Sequence, residues 1–521
     1  MLDRARKQIV IHDDFSNLVH DTTGTEDAAG LAEAARVLLG AEADLISFRA
    51  ADGERCEYWP SRVGEYMDAN KEGTSRTHKV YRALTSAGVD PFGTVVNAVR
   101  QGGGRVLGKV RVNDVHHVGG HPSRAALATQ FWRDHPEWWI GTVEARGGGS
   151  PTFRDCDRIG PMERHGLAYG RPFVLDYAVP EVRKHRLAVM REFMERYPLA
   201  GLTLNFIREQ WCVSFPDQNA PLLTEFVAGC RRVVEETVRQ RGEEPILGAI
   251  VPWDLEYCRV MGLEVEDWIR SGLLDYVSPT PSYVSKFGMP VEDWTKLASG
   301  TGCAVYPGII GYSSCRNEVC VPEEYEEQTQ GPERAKVPHT SKVTPENVRA
   351  LAHGFYKEGA DGVSFFNFYS ACYQTLYPLS ELCVPERMQG GERHYVYLRK
   401  SPYAEWEFLK LVFPPGCLGR QAVTCRVHED LGRAEAHVRF KARGLEDIRS
   451  LIVDLNGKEI PESDLSLIPH DGEGFLYVQF GVNEDMLRDG DNEIGFAYRA
   501  GCPVFQSDVI VQEVEIRVAP R

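Results

Sequence analysis

Short apolar segments alternate with longer amphipathic segments along most of this chain. The stretch 173–211 shows the unit clearly, because a segment opened by Pro180 carries apolar residues on one helical face and is followed at once by an apolar segment at 202–206. Proline is well tolerated in the first turn of a helix, and the apolar spacing fits the helical period. The pattern therefore predicts a helix followed by a strand, the repeating unit of a parallel sheet.

The same unit recurs often enough to close a barrel. We predict strands at 8–12, 44–48, 105–112, 202–206, 246–251, 273–277, 303–306 and 362–366. We predict helices at 27–39, 91–100, 121–135, 220–239 and 343–358, and a short extended piece at 173–176. Eight strands with helices between them indicate the α/β class and a (β/α)8 TIM barrel.

The periodicity changes after Pro414. Segments at 435–440, 450–455, 475–480, 492–498 and 509–518 mostly alternate apolar and polar residues, with turn-forming residues between them. This period of two predicts a small antiparallel β-sandwich. The expected domains are a barrel at 1–412, with insertions around 49–80, 136–172 and 312–342, and an accessory sandwich at 413–521.

Composition narrows the classes of partner. The 521 residues include 59 Lys and Arg against 75 Asp and Glu, a formal net charge of −16, and no basic run suggests a nucleic-acid partner. The first residues contain neither a secretory signal nor a membrane span, so we expect a cytoplasmic protein without a membrane partner. The 13 cysteines form no CxxC pair and are expected to be mostly reduced, with Cys315 and Cys320 as the closest pair to watch.

Polar residues collect where the predicted strands end, which is where the chemistry of a parallel barrel usually lies. The third strand has the richest set, and its end carries Arg111, Asn113, Asp114, His116 and His117. At most one of the two adjacent histidines can face the site if the backbone is extended. The other strand ends contribute His12, Asp13, Asp14, Asn205, Arg208, Glu209, Trp211, Trp253, Asp254, Glu256, Tyr283 and Asn367.

Four motifs carry a family resemblance. HDD at 12–14, VRVNDVHH at 110–117, the stretch 175–208 and GADGVSFFNF at 359–368 together resemble bacterial proteins of glycosyl-hydrolase-like family ten and their relatives, which are similar to barrel glycosidases. The resemblance implies a carbohydrate substrate. In the family pattern a carboxylate stands where this chain has Asn205, often another where it has Thr203, and the following arginine matches Arg208. In related barrel glycosidases, an aspartate at this strand end is the usual nucleophile.

Most glycosidases need two carboxyl groups beside the glycosidic oxygen, and asparagine can take neither role. The catalytic candidates are therefore Asp114, Glu209 and Asp254. The candidates for binding the carbohydrate are His12, Asp14, Arg111, Asn113, His116, Asn205, Arg208, Trp211, Trp253, Tyr283 and Asn367. No cofactor and no bound metal are expected, and a homo-oligomer is left open.

Two alternatives to a glycoside hydrolase stay open. In the first, the barrel binds carbohydrate without catalysis, and its carboxylates are paired with arginines such as Arg111 or Arg208. In the second, His12 and Asp114 belong to a metal-dependent hydrolase, although barrel metallohydrolases usually bring two histidines from the first strand and this chain offers one. Two facing carboxyl groups, arginine-paired carboxylates or a metal cluster would distinguish these hypotheses.

Overall fold

The computed structural model describes most of the chain. The described residues are 6–15, 18, 26–41, 43–67, 76–115, 128–140, 174–281, 285–313, 341–368, 379–388, 390–397, 411–415, 419–429, 434–445, 447–469, 476–483, 485–499 and 508–521. The chain divides into two compact units. The first unit contains residues 1–282, 290–308 and 360–383, and the second contains residues 283–289, 309–359 and 384–521.

A parallel sheet organises the first unit. The strands up to residue 366 are β1 Gln8–Asp13, β2 Leu45–Asp52, β3 Val106–Arg111, β4 Gly201–Asn205, β5 Ile246–Pro252, β6 Tyr276–Thr280, β7 Ala304–Val305, β8 Gly308–Ile310, β9 Tyr312–Ser313, β10 Ser341–Lys342 and β11 Gly362–Phe366. Their hydrogen-bonded order is β7-β6-β5-β4-β3-β2-β1-β11-β8, and β9 and β10 form a separate antiparallel pair. The predicted (β/α)8 barrel is confirmed.

The barrel closes at its seventh strand, which is interrupted by Pro307. Val305 and Pro307 both accept hydrogen bonds from the β11 side, from Asp361 N at 3.1 Å and Ser364 N at 3.0 Å. Because proline has no N–H to donate, the strand breaks into the two short pieces β7 and β8. We predicted the seventh strand at 303–306, whereas the structure has it at Ala304–Val305 and again, beyond Pro307, at Gly308–Ile310.

Helices surround the sheet in the first unit. They are α1 Ala28–Val37, α2 Arg76–Ser86, α3 Pro91–Gln101, α4 Gln130–Asp134, α5 Pro180–Arg196, α6 Pro216–Arg239, α7 Leu255–Val260, α8 Val265–Arg270 and α9 Val291–Ala298, and the second unit adds α10 Pro345–Lys357 and α11 Pro385–Met388. Capping side chains and prolines in the first turn determine where these helices begin. Asp27 accepts a hydrogen bond from Gly30 N at 2.8 Å, and Pro180 occupies the first turn of α5.

Two further predicted boundaries were wrong. We placed the sixth strand at 273–277, but Leu273 N donates to Trp268 O at 2.9 Å and so completes the end of α8, and the strand runs from Tyr276 to Thr280. Helix α6 begins at Pro216 instead of residue 220 because proline can open its first turn. Of the predicted helix at 121–135, the described part is helical at Gln130–Asp134, and residues 121–127 lie outside the described residues.

The barrel interior is polar above its lowest layer. Val10, Leu45, Leu107 and Ile246 belong to a buried apolar cluster at the beginning of the strands. Two residues further along each strand, the chain has His12, Ser47, Lys109 and Gly248. The side chains of His12, Ser47 and Lys109 are fully buried, and Gly248 has no side chain. TIM barrels usually fill this space with bulky branched residues. The polar layer lies directly below the strand ends where the predicted site residues are found.

Gly248 makes room for Tyr276 in this layer. A Cβ atom at Gly248 would lie 2.0 Å from the ring of Tyr276, whose hydroxyl is 2.6 Å from Thr203 Oγ1. We expect Gly248→Ala to lower the free energy of unfolding by about 1–3 kcal/mol, since the buried ring has to move. Chemical denaturation measures the loss, and Gly40→Ala is the control because nothing lies within 4 Å of its Cβ position. Equal effects of the two substitutions would contradict this packing.

Two antiparallel sheets form most of the second unit. Its strands are β12 Arg393–Val396, β13 Leu411–Phe413, β14 Gln421–Val427, β15 Ala434–Arg443, β16 Leu451–Leu455, β17 Lys458–Glu459, β18 Leu465–Pro469, β19 Leu476–Val482, β20 Gly490–Tyr498 and β21 Val509–Pro520. One sheet has the order β12-β21-β15-β19-β18 with β13 also on β21, and the other has the order β14-β20-β16-β17. Phe440 of one sheet packs edge-on against Phe496 of the other at 5.0 Å, as expected of a sandwich.

The five predicted C-terminal strands are all present, and β12, β13, β14, β17 and β18 were not predicted. β12 and β13 both pair with β21. The domain boundary at residues 412 and 413 stays a prediction. Within the described part of the chain, no helix is long and apolar enough to cross a membrane. The described cysteines, Cys56, Cys212, Cys230, Cys258, Cys303, Cys383 and Cys425, are free and buried, whereas Cys315 and Cys320 lie outside the described residues.

His428 links two acidic side chains in the second unit. Its Nε2 lies 3.2 Å from Glu358 Oε1 and its Nδ1 lies 2.9 Å from Asp489 Oδ1. The hydrogen bond with Glu358 raises the pKa of His428 above its ordinary value against the opposing effect of burial, and Asp489 adds to the rise. Glu358 and the neighbouring Asp491 also face Arg426, at 3.5 and 2.6 Å.

The raised pKa predicts a pH-dependent contribution to stability. This contribution is fully present below the unfolded pKa of about 6.5 and is lost as the pH rises through the higher folded value. We therefore expect the stability difference between the wild type and His428→Asn to be largest below about pH 6.5 and to shrink at higher pH. Thermal unfolding of both proteins between pH 5 and 9 measures it. A difference that stays constant over this range would contradict the predicted linkage.

Candidate functional site

Asp14 is the centre of a hydrogen-bonded network at the C-terminal ends of β1, β3 and β11. Its Oδ1 accepts from Lys109 Nζ at 2.8 Å, and its Oδ2 accepts from Asn367 Nδ2 at 2.7 Å and from Arg111. Lys109 and Arg111 face the same side because side chains alternate along a strand. The structure thus brings together three predicted site residues, Asp14, Arg111 and Asn367, with Lys109, which was not predicted.

The network keeps Asp14 ionised. Burial alone would raise the pKa of Asp14, but the charges of Arg111, Lys109 and further arginines outweigh it and hold the pKa well below its usual range. Burial lowers the pKa of Lys109 to about 8, although the Asp14 carboxylate acts in the opposite direction. Lys109 Nζ also lies over the ring of Phe366, 4.6 Å from its centroid. Asp14 is consequently a firm hydrogen-bond acceptor and a poor proton donor.

Asp114, a predicted catalytic residue, lies in the same network. Its Oδ2 accepts a hydrogen bond from Arg111 NH1 and lies 3.6 Å from Arg55 NH1. Its side chain is fully buried. Neutralisation by two guanidinium groups stabilises the charged form of a carboxylate. This arrangement does not favour proton donation by Asp114.

A β-bulge adds Arg49 and Asp52 to the site. The pairing of β2 with β3 shifts between Arg49 and Ala51, so Asp52 lies opposite Arg111. Bulges are common beside active sites because they redirect a side chain. Asp52 lies 3.7 Å from Arg49 Nε, 3.9 Å from Arg55 Nε and 4.0 Å from Arg111 Nε. Arg49 also donates a hydrogen bond to the hydroxyl of Tyr58.

Asn205 provides a free hydrogen-bond donor at the end of β4. Its Oδ1 accepts a hydrogen bond from Ile207 N at 3.0 Å, whereas its Nδ2 has no partner although the side chain is 1 % exposed. A buried, unpaired amide donor is costly unless a ligand or water satisfies it. At the position where the family pattern has a carboxylate, this chain therefore offers a donor to an oxygen of a ligand.

His12 is buried below Asp14, and neither of its ring nitrogens has a hydrogen-bond partner. Burial lowers the pKa of His12 well below its ordinary value, and the neighbouring charge of Lys109 adds to the shift. The imidazole is therefore neutral, and its ring stacks on Tyr276 with centroids 6.3 Å apart. Among the described residues, no three His, Cys, Asp or Glu side chains are grouped as ligands for a metal ion.

Asn113 connects two loops above the strand ends. Its Nδ2 donates to Leu175 O at 3.1 Å and to Trp211 O at 2.7 Å. Glu54 acts in a similar way, because its carboxyl oxygens accept from Asp114 N at 2.6 Å and Leu175 N at 2.9 Å. Burial raises the pKa of Glu54 to about 8. Both side chains fix the loop backbone beside the site, and neither function was visible in the sequence.

The remaining predicted residues lie around the ends of β4 and β5. Glu209 and Trp211 are each 8 % exposed, and Arg208 is half-buried. Asp254 caps the N-terminus of α7 by accepting a hydrogen bond from Tyr257 N at 2.7 Å, while Trp253 O accepts one from Trp294 Nε1 at 2.8 Å. Glu256 is exposed and pairs with Arg259. His116, His117 and Tyr283 lie outside the described residues.

An aromatic segment follows β3 along the chain. The rings of Trp132 and Trp139 stack at 4.5 Å, those of His135 and Trp138 at 3.5 Å, and Phe131 stacks on His185 of α5 at 3.7 Å. The segment is joined to the loops near the site, since Asp176 N donates to Trp138 O at 2.8 Å. These aromatic side chains pack on one another and form a half-buried cluster.

Comparison with protein-family models and with curated proteins found no match. Among solved structures, a maltogenic alpha-amylase from Thermotoga neapolitana is 10 % identical with a TM-score of 0.38, covering 94 % of this chain and 99 % of that chain. An alpha-amylase from Anoxybacillus is 12 % identical with a TM-score of 0.39, and the match covers 95 % of this chain and 99 % of that chain. A glycoside hydrolase family 18 N-acetylglucosaminidase from Paenibacillus barengoltzii is 11 % identical with a TM-score of 0.37, and the match covers 72 % of this chain and 98 % of that chain. At these values neither substrate nor reaction carries over to this chain.

Proposed function

We propose that this chain is a carbohydrate-active barrel that binds a saccharide at the C-terminal ends of its strands. The observation that carries the proposal is the network around Asp14, which joins side chains from β1, β3 and β11 at one end of the barrel. The family resemblance of the motifs around residues 110–117 and 175–208 supports it. C-terminal strand ends are the usual location of TIM-barrel sites.

The chemistry of the network suits a hydroxyl-rich ligand. A sugar hydroxyl both donates and accepts hydrogen bonds, so it can meet an ionised carboxylate and an amide donor at once. Asp14 supplies the carboxylate, and the unpartnered Asn205 Nδ2 supplies the donor. Charge-assisted hydrogen bonds of this kind are the stronger ones and fix the orientation of a bound ring.

Calorimetric titration with a panel of oligosaccharides tests this proposal. We expect saturable binding of at least one saccharide, with and without chelator. Sorbitol, a polyalcohol without a sugar ring, serves as the control for weak, non-specific association. Absence of saturable binding to every member of a broad panel would contradict a carbohydrate function.

Hydrolysis of a glycosidic bond is the second candidate function. This candidate is favoured by the parallel pairing of β4 with β5, in which Asn205 lies opposite Ile250. Because the two strands are parallel neighbours, the residues that follow them leave the sheet at the same end of the barrel. Glu209 and Asp254 follow these adjacent strands by four residues and two residues, respectively. Two carboxyl groups on neighbouring strand ends are the minimum that acid–base cleavage of a glycoside requires. In this candidate Glu209 and Asp254 act as the pair, and Asp114 holds Arg111 in place.

A further inference from the structure

An exposed aromatic side chain lies at the C-terminal end of the barrel. Phe215 directly precedes α6, so it belongs to the loop that connects the end of β4 with the start of this helix. It is 51 % exposed, and among the side chains that the structure describes it is the one exposed aromatic. The loops at this end of a TIM barrel are the ones that usually carry its binding residues.

The ring of Phe215 is not used in the packing of the described residues. The aromatic segment at 131–139 behaves differently, because its rings stack on one another, as Trp132 does on Trp139 at 4.5 Å. Within the described part of the chain, Phe215 has no such partner, neither an aromatic ring nor a cation above its face. The face of this ring is therefore available to a ligand.

The backbone of Phe215 is strained. Its φ of 47° and ψ of 64° lie in the left-handed region, which is unfavourable for a residue with a Cβ atom and rare for a bulky one. The start of α6 does not require this conformation. Helix α5 also begins with proline in its first turn and without a side-chain cap, yet the preceding Val179 has an ordinary extended backbone with a φ of −77°. The strain is therefore specific to Phe215.

Hydrogen bonds on both sides of Phe215 hold its backbone in this conformation. Ser214 N donates to Asp176 Oδ1 at 3.0 Å, and Ser214 O accepts from Asn219 Nδ2 at 2.6 Å. Phe215 O accepts from Asn219 N at 3.0 Å. Strained residues persist where the surrounding structure imposes their conformation, and they cluster in binding sites.

The loop that carries Phe215 is joined to the candidate site. Trp211 O accepts a hydrogen bond from Asn113 Nδ2 at 2.7 Å, and Cys212 O accepts one from Tyr177 N at 2.8 Å. The loop is thus fixed to the segments that follow β3 and precede α5. A fixed, strained loop that presents an unused aromatic ring beside a binding site is suited to hold part of the ligand.

We propose that Phe215 stacks on one pyranose ring of an oligosaccharide, another ring of which is bound deeper in the barrel at Asp14 and Asn205. This inference rests on the proposed carbohydrate function and narrows the ligand to an oligosaccharide. The axial C–H groups on one face of a pyranose complement the negative face of an aromatic ring. Asn205 is 1 % exposed and Phe215 is 51 % exposed, so a ligand that contacts both extends from the barrel interior to its surface.

A substitution series at Phe215 tests the stacking. The probes are maltohexaose, cellohexaose, xylohexaose and chitohexaose, titrated calorimetrically into the wild type and the variants. For a hexasaccharide that binds the wild type, we expect about tenfold weaker binding by Phe215→Ala and an affinity within about twofold of the wild type for Phe215→Tyr. Phe215→Leu keeps apolar area without the aromatic face and should bind about fivefold more weakly.

Two controls accompany the titrations. Leu467→Ala removes an equally exposed apolar side chain of the second unit and should leave the affinity unchanged. The monosaccharide of each probe tests the length of the ligand, since it cannot contact Phe215 and Asn205 together. We expect the wild type to bind a hexasaccharide at least about tenfold more tightly than its monosaccharide.

The strain is tested without any ligand. Glycine normally destabilises a protein relative to alanine, whereas at a positive φ this order is reversed. We therefore expect Phe215→Gly to have a midpoint of thermal unfolding about 1–3 °C above that of Phe215→Ala. The same two substitutions at Val179 control for the start of a helix, and there glycine should gain less. An equal gain at both positions would show that Phe215 is not strained and would overturn the inference.

The outcomes separate this inference from the proposed function. An unchanged affinity of Phe215→Ala, or full affinity of Phe215→Leu, would overturn the stacking and leave the carbohydrate function standing. Equal affinities of the wild type for a hexasaccharide and its monosaccharide would overturn the extended ligand. Failure of the wild type to bind any saccharide would overturn the carbohydrate function itself, and the inference with it.

Discussion

Arg111→Met lowers the free energy of unfolding by about 3–5 kcal/mol, because it leaves buried carboxylates without their partner. Arg111 donates to both Asp14 and Asp114, and its side chain is 3 % exposed. Methionine preserves much of the side-chain volume, so the loss reports the charge and not a cavity. In the variant, Asp14 retains its hydrogen bonds from Lys109 and Asn367. Asp114 retains only the weaker ion pair with the more distant Arg55 among the partners described above.

Chemical denaturation of wild type and variant measures this loss. Arg191→Met is the matched control, because the Arg191–Glu236 pair lies at the surface and should contribute less than about 1 kcal/mol. Adding Asp114→Asn to Arg111→Met should recover part of the loss, since one uncompensated charge is removed. A loss no greater than that of the Arg191 variant would show that the buried network does not hold the strand ends together.

Glu209→Gln and Asp254→Asn each lower kcat by about 10²–10⁴-fold if the wild type turns over a glycoside, which is the usual range for a missing general acid or base. Asparagine caps a helix as well as aspartate does. The Asp254→Asn variant can therefore retain the hydrogen bond from Tyr257 N and the start of α7. Its effect on turnover would consequently report chemistry and not local unfolding.

A turnover screen with aryl glycosides and oligosaccharides, run with and without chelator, measures this effect. Glu256→Gln is the control, because Glu256 is an exposed neighbour that pairs with Arg259. Substitution of Asp114 by Asn is included, as Asp114 was also a catalytic candidate. If both variants at Glu209 and Asp254 kept the wild-type kcat, the two-carboxylate hypothesis for these residues would be wrong. Loss of turnover in the Asp114 variant alone would instead identify Asp114 as the catalytic carboxylate.

The barrel could be predicted from the sequence because its signal is repeated. Each strand–helix unit adds an independent copy of the same period, so a misplaced boundary such as that at 273–277 leaves the architecture unchanged. The break at Pro307 and the start of α6 at Pro216 are both due to proline, which has no N–H to donate and is well tolerated in the first turn of a helix. Such local effects shift boundaries by a few residues without altering the order of the elements.

The candidate site could be predicted only in part. Asp14, Arg111 and Asn367 were identified because they follow apolar strands, and the structure joins them through hydrogen bonds. Lys109 was missed although Lys109 and Arg111 occupy alternating positions in an otherwise apolar strand, which is a signal for two charges on one face. Asp52 could not have been found, because its position depends on the bulge in β2. The pairing of Asn113 with the backbone of distant loops is likewise invisible in the sequence.

The most direct test of the account is the affinity of the Asn205→Ala variant for a saccharide that binds the wild type. Asn205 Nδ2 is the unpartnered donor at the end of β4, and Asn97→Ala on the exposed face of α3 is the matched control. We expect Asn205→Ala to weaken binding about tenfold, the effect of one lost hydrogen bond in a buried site, and Asn97→Ala to leave it unchanged. Equal affinities of the wild type and both variants would contradict saccharide binding at these strand ends.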